Sequence, residues 1–96
     1  MEHKFTVAQI KGWERGIKKF LAHSKTKTEH LIWKGLFELL ILLKISMEQK
    51  RDISRRVEQL NGAFNLALSL FMECFGTDSR QFRFLLGIST KINKTL

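Results

Sequence analysis

Proline is missing from this chain of 96 residues, tyrosine is missing too, and cysteine occurs once. Without proline the strongest helix breaker is gone, so long helices can run uninterrupted. One cysteine, Cys74, excludes an intrachain disulfide and a structural zinc site built on cysteines. Its apolar flanks, Met72 and Phe75, point to a small buried thiol, a setting that disfavours a reactive thiolate. Cysteine used this sparingly fits a reducing compartment, and a cytoplasmic location is expected.

Acidic residues are scarce as well: 9 Asp and Glu stand against 17 Lys and Arg, a formal charge of +8. The most apolar stretch, residues 31–47, is interrupted by Lys34, Glu38 and Lys44, and its longest uncharged run is Leu39 to Leu43. A membrane span needs about 18 or more largely uncharged residues, so this stretch reads as a buried helix. The opening residues Met1-Glu2-His3-Lys4-Phe5 do not have the basic-then-apolar layout of a secretion signal. Repeats, low-complexity tracts and linkers are absent, and the length suits one domain spanning residues 1–96.

What is present is helical periodicity with capping signals between the periods. Thr6-Val7-Ala8-Gln9 spells a capping box, and Phe5 with Ile10 a hydrophobic staple. Ile10, Trp13, Ile17, Phe20 and Leu21 then define one apolar face, predicting a helix from Val7 to Ala22. After the polar connector Ser24 to Thr28, Thr26 and Glu29 mark a second start near Lys27 or Thr28. In that helix only His30, Lys34 and Glu38 form a polar stripe, so it should sit centrally, covered on most sides. Ser46-Met47-Glu48-Gln49 resembles a third capping box and predicts a break after Ile45, against the alternative of a helix that continues through.

The next helix is then expected from Met47 to Phe75. Ile53, Val57, Leu60, Phe64, Ala67, Phe71 and Cys74 alternate steps of four and three, a coiled-coil-like seam. Leu66, Leu68, Leu70, Met72 and Phe75 add apolar flanks, so the second half should be buried on more than one side. Gly76 suits a C-cap and Asp78 an N-cap, which starts a last helix over residues 79–92. The residues from Asn93 onward should fray. The expected fold is all-α, a compact bundle of three or four helices with one long helix, and self-associating.

Chemistry-bearing constellations are thin. His3, His23 and His30 follow no metal-ligand spacing, and Glu29 and His30 are adjacent positions that do not face each other on a helix. Cys74 has no histidine near it in sequence. Gly12 and Gly16 follow no strand and make no phosphate-cradling loop; they read as places where a neighbouring backbone comes close. No enzyme, metal or cofactor is expected.

The charge is unevenly placed. Residues 1–28 hold seven cations against Glu2 and Glu14, a net of +5, whereas residues 29–58 net +1 and residues 59–96 net +2. Lys11, Arg15 and Lys18 share a helix face, and Lys19, Lys25 and Lys27 carry the patch around the helix end. Such a patch attracts phosphate backbones through counterion release. The plainer reading is a solvated face with Glu14 and Lys18 as an ordinary helical pair. The cluster Lys50-Arg51 and Arg55-Arg56 reads as a salt-bridged surface, with Asp52 facing Arg56 and Glu48 facing Arg51. Arg80 and Arg83 would extend a basic surface if they fold toward the first helix. No zinc-finger spacing, aromatic platform or GXXG loop is present, so any readout of base sequence is expected to be weak.

The apolar content exceeds what a monomer of this size should cover, and uncovered apolar surface marks an interface. The seam residues Val57, Leu60, Phe64 and Phe71 are the expected contacts of a homo-oligomer, against the plainer reading of an intramolecular core. The leading functional expectation is a small non-enzymatic regulatory or accessory protein. It would hold nucleic acid through Lys11, Arg15, Lys18, Lys19, Lys25 and Lys27. The alternative is a protein-binding adaptor or inhibitor, of the compact kind that phages and plasmids encode, docking its basic face on an acidic protein surface. Binding to an anionic membrane surface comes third.

Overall fold

A computed structural model describes residues 6–94, and among them the chain is all-helical: α1 (Val7–Ala22), α2 (Lys27–Glu48), α3 (Ser54–Phe75) and α4 (Arg80–Asn93). The staple expected of Phe5, the histidine at position 3 and the last two residues lie outside the described residues.

Helix α1 begins as its sequence dictates. Thr6 Oγ1 accepts from the Gln9 backbone N–H at 3.2 Å, and Gln9 Oε1 accepts from the Thr6 N–H at 2.9 Å. This reciprocal box satisfies two amides that a helix start would otherwise leave open. At the other end the His23 ring and the Ser24 hydroxyl reach back to the carbonyls of Lys19 and Phe20. Helix α2 starts on Thr26, whose hydroxyl accepts from the Glu29 N–H at 3.1 Å.

The α2–α3 junction differs from the expected break after Ile45. Helix α2 runs on to Glu48 and ends with Arg51 N–H donating to Ser46 O at 3.0 Å and Lys50 N–H to Met47 O at 3.1 Å. That crossed pair of bonds is a Schellman turn, and Lys50 holds the left-handed position at φ 57°. Helix α3 therefore starts at Ser54, with Asp52 Oδ1 accepting from the Ser54 N–H and hydroxyl. The long helix is 22 residues, roughly 33 Å, and α2 matches it. At its far end Gly76 adopts φ 77°, ψ 178°, a conformation that only glycine takes readily. Ser79, rather than Asp78, caps α4, accepting from the Phe82 N–H at 3.1 Å.

Short connectors make sequential helices antiparallel neighbours: α1 packs on α2, α2 on α3 and α3 on α4. The seam of α3 forms the chain's own core, where Val57, Leu60, Phe64, Ala67 and Phe71 are all buried. Cys74, expected buried, is exposed. It lines a surface pocket together with Thr26, Thr28, Leu70 and Phe75.

One residue ties the four helices together. The Trp33 indole of α2 stacks on Phe20 of α1 at 4.8 Å and 10°, and meets Phe71 of α3 at 5.0 Å and Phe84 of α4 at 6.2 Å. Phe84 also closes the bundle between α4 and α1. Its ring lies where a Cβ on Gly16 would stand, 2.5 Å from that position, so only glycine leaves room for it. Gly12 faces no such neighbour, contrary to the close approach expected there.

Glu14 is buried and does not pair with Lys18 as its spacing suggested. The Lys44 ammonium crosses from α2 to sit 3.0 Å from Glu14 Oε1 and 3.1 Å from Oε2. Lys18 instead lies over the Phe37 ring at 5.5 Å.

Candidate nucleic-acid interface

The cations expected to contact phosphate divide between two sides of α1. Lys11, Arg15 and Lys18 are exposed along its outer face, and the reach of Lys18 to Phe37 sets that row on the α2 side. Lys19 turns the other way, toward α4. It lines a cleft of about 650 Å³ with His23, Lys25, Arg80, Gln81 and the rings of Phe20 and Phe84. Lys27, the first residue of α2, is exposed and does not line the cleft.

Local chemistry explains how these side chains meet. Helix α1 ends on side-chain caps at Lys19 and Phe20, so the chain turns at once and carries Lys25 back beside the helix end. Gly76 and Ser79 end α3 and start α4 within a few residues, which puts Arg80 at the same end of the bundle. The close packing of Phe84 on Gly16 then sets the two walls against each other. The His23 ring is held as well. Its Nδ1 donates to the Lys19 carbonyl at 2.7 Å, which leaves Nε2 as the ring's remaining polar atom.

The lining therefore carries two lysines, an arginine and a histidine over two phenylalanine rings, and no carboxylate is among the lining residues. Arg83 does not join it; the guanidinium faces Asp78 at 3.7 Å in an exposed pair. Comparison with protein-family models, curated proteins and solved structures finds no match to this chain.

Between α2 and α3, on the other side of the bundle, runs an apolar furrow. One part, about 390 Å³, is lined by residues including Leu31, Gly35, Leu42, Ala63 and Leu66; a second, about 290 Å³, continues it past Ile32 and Leu70 to Cys74 and Phe75. Leu31 is 67% and Leu66 64% exposed, so neither α2 nor the second half of α3 is covered on most sides as their composition suggested. The charged residues lining the furrow are Glu29 and Glu38, with no cation. Of the four seam residues expected at an oligomer interface, Val57, Leu60 and Phe64 do not line this furrow, and Phe71 lines only its second part. Val57, Leu60 and Phe64 are 0% exposed and Phe71 2%, because the seam faces the other helices.

Among the described residues no group of three or more His, Cys, Asp or Glu is placed to hold a metal ion, and no helix is long and apolar enough to cross a membrane. No histidine lines the pocket that contains Cys74.

Sequence reasoning missed the cleft as a unit. The lysines were visible as a charge excess, but the pairing of Arg80 and Phe84 with α1 depends on how α4 folds back, which no local signal encodes.

Proposed function

We propose that this chain is a small non-enzymatic accessory protein that associates with nucleic acid through the cations gathered around α1. The observation that carries the reading is the cleft in which Lys19, Lys25 and Arg80 converge without a carboxylate among the lining residues. The exposed row Lys11, Arg15 and Lys18 adds a second cationic side of α1, and Lys27 is exposed at the start of α2. Cations so clustered bind polyphosphate chains by displacing condensed counterions, with affinity that falls as salt rises.

Fluorescence anisotropy with labelled random DNA and RNA, across about 50 to 200 mM salt, tests this. Log K is expected to fall linearly with log salt, and the triple variant Lys19→Glu, Lys25→Glu, Arg80→Glu to bind more weakly and with a flatter slope. Absence of binding at the lowest salt would sink the reading. Capture of one stoichiometric protein partner would then favour the adaptor alternative, and co-sedimentation with anionic vesicles the membrane one.

The furrow between α2 and α3 favours a further element of this function, pairing with a second copy. A chain of charge +8 repels its own kind, yet this face carries no lining cation and offers leucine knobs beside the gap over Gly35 and Ala63. Two copies joined there would turn both cationic clefts outward. Sedimentation equilibrium is expected to give a dimer that Leu66→Glu converts to monomer; a monomer at all concentrations would refute the pairing.

A further inference from the structure

The cleft and the outer row of α1 are both basic, but they suit different forms of nucleic acid. A duplex presents phosphates on a convex surface and hides its base faces in the stack, so an exposed row such as Lys11, Arg15 and Lys18 meets it well. A concave site with aromatic walls meets it poorly. Single strands differ, because their unstacked bases can leave the chain and lie against aromatic rings while neighbouring phosphates reach cations.

We propose that the cleft between α1 and α4 seats a single strand, with one unstacked base against Phe20 and Phe84 and the flanking phosphates on Lys19, Lys25 and Arg80. This rests on the phosphate-contact reading above and narrows it to a ligand class. At about 650 Å³ the cleft lies within the range of about 300–1,000 Å³ typical of sites for small ligands, so it accepts one nucleotide.

Both rings are half-buried and held in place. Phe20 lies on the Trp33 indole at 4.8 Å, and Phe84 is seated in the gap at Gly16. They are 5.2 Å apart and tilted by 45°, which forms a corner rather than a flat platform. A floor already ordered loses little freedom when a base lands on it. Two further polar groups line the same space, the Gln81 amide and the His23 ring, whose Nδ1 is tied to the Lys19 carbonyl. They can meet a base edge, while Lys19, Lys25 and Arg80 supply the positive charge around it.

The test compares an oligothymidine strand with a duplex of the same length at the same salt, using anisotropy, with inorganic polyphosphate as competitor. The strand is expected to bind about tenfold tighter than the duplex. Phe84→Leu, which keeps apolar bulk at Gly16, is expected to lower strand affinity about tenfold and leave duplex affinity unchanged. Photo-cross-linking of an iodouridine-substituted strand to the unaltered protein gives an answer that does not depend on how the variant folds. The adducts are expected on His23, Phe20 or Phe84.

Equal affinity for strand and duplex would overturn the seat and leave the phosphate reading standing. So would cross-links confined to other residues, or displacement of the strand by polyphosphate at equal phosphate concentration. No binding of either form at low salt would remove both.

Discussion

Gly12 and Gly16 stand one turn apart on α1, and the same substitution should act on them in opposite directions. Gly12→Ala places a methyl where nothing lies within 4 Å and replaces a poor helix former with the best one. A gain of about 0.5–1 kcal/mol in unfolding free energy is expected. Gly16→Ala drives a methyl into the Phe84 ring, which must shift and loosen the α1–α4 contact; a loss of about 1–3 kcal/mol is expected. Urea denaturation of the two variants decides it, and equal shifts would mean that Phe84 does not rest on Gly16. The four-residue spacing marked both glycines as close-approach sites, but it could not say which had a neighbour. That neighbour comes from the opposite end of the chain. Cys74 teaches the same limit, since its step continues the seam and yet it is exposed.

At the scale of elements, the legible features were those written in neighbouring residues. Both ends of α1 and the start of α2 follow capping chemistry within three or four positions, and the structure reproduces them. The α2–α3 junction was legible as a break and misplaced by a few residues. A Schellman turn is recognised by glycine or asparagine in its left-handed position, and here that position holds Lys50. Ser46, which resembled a cap, instead accepts the Arg51 amide through its carbonyl. Lys50→Gly relieves the side-chain crowding at φ 57° and is expected to raise unfolding free energy by about 0.5–1 kcal/mol. Unchanged denaturation would show that the turn carries no such strain. Charge pairing was the least legible feature: Glu14 was assigned to Lys18 within its own helix and went to Lys44 on the next.

Over the whole molecule, composition and period were enough for an all-α bundle, because alternating steps of three and four leave few other ways to bury the seam. They were not enough for its surfaces. Which leucines remain wet depends on where α3 and α4 lie, so Leu31 and Leu66 looked like core and are exposed. The cleft depends on the return of α4 to α1, the one closure between the two ends of the chain.

That closure has a kinetic consequence. The sequential helix pairs are joined by connectors of a few residues, and bundles of such local contacts fold within microseconds to milliseconds. The α1–α4 seam must wait for the rest and rests chiefly on Phe84, so it forms last and parts first. Native-state hydrogen exchange would then show α4 amides opening well before those of α2. A strand held by Lys19 on one wall and Arg80 on the other would bind only the closed form, acting as a clasp that slows exchange across α4.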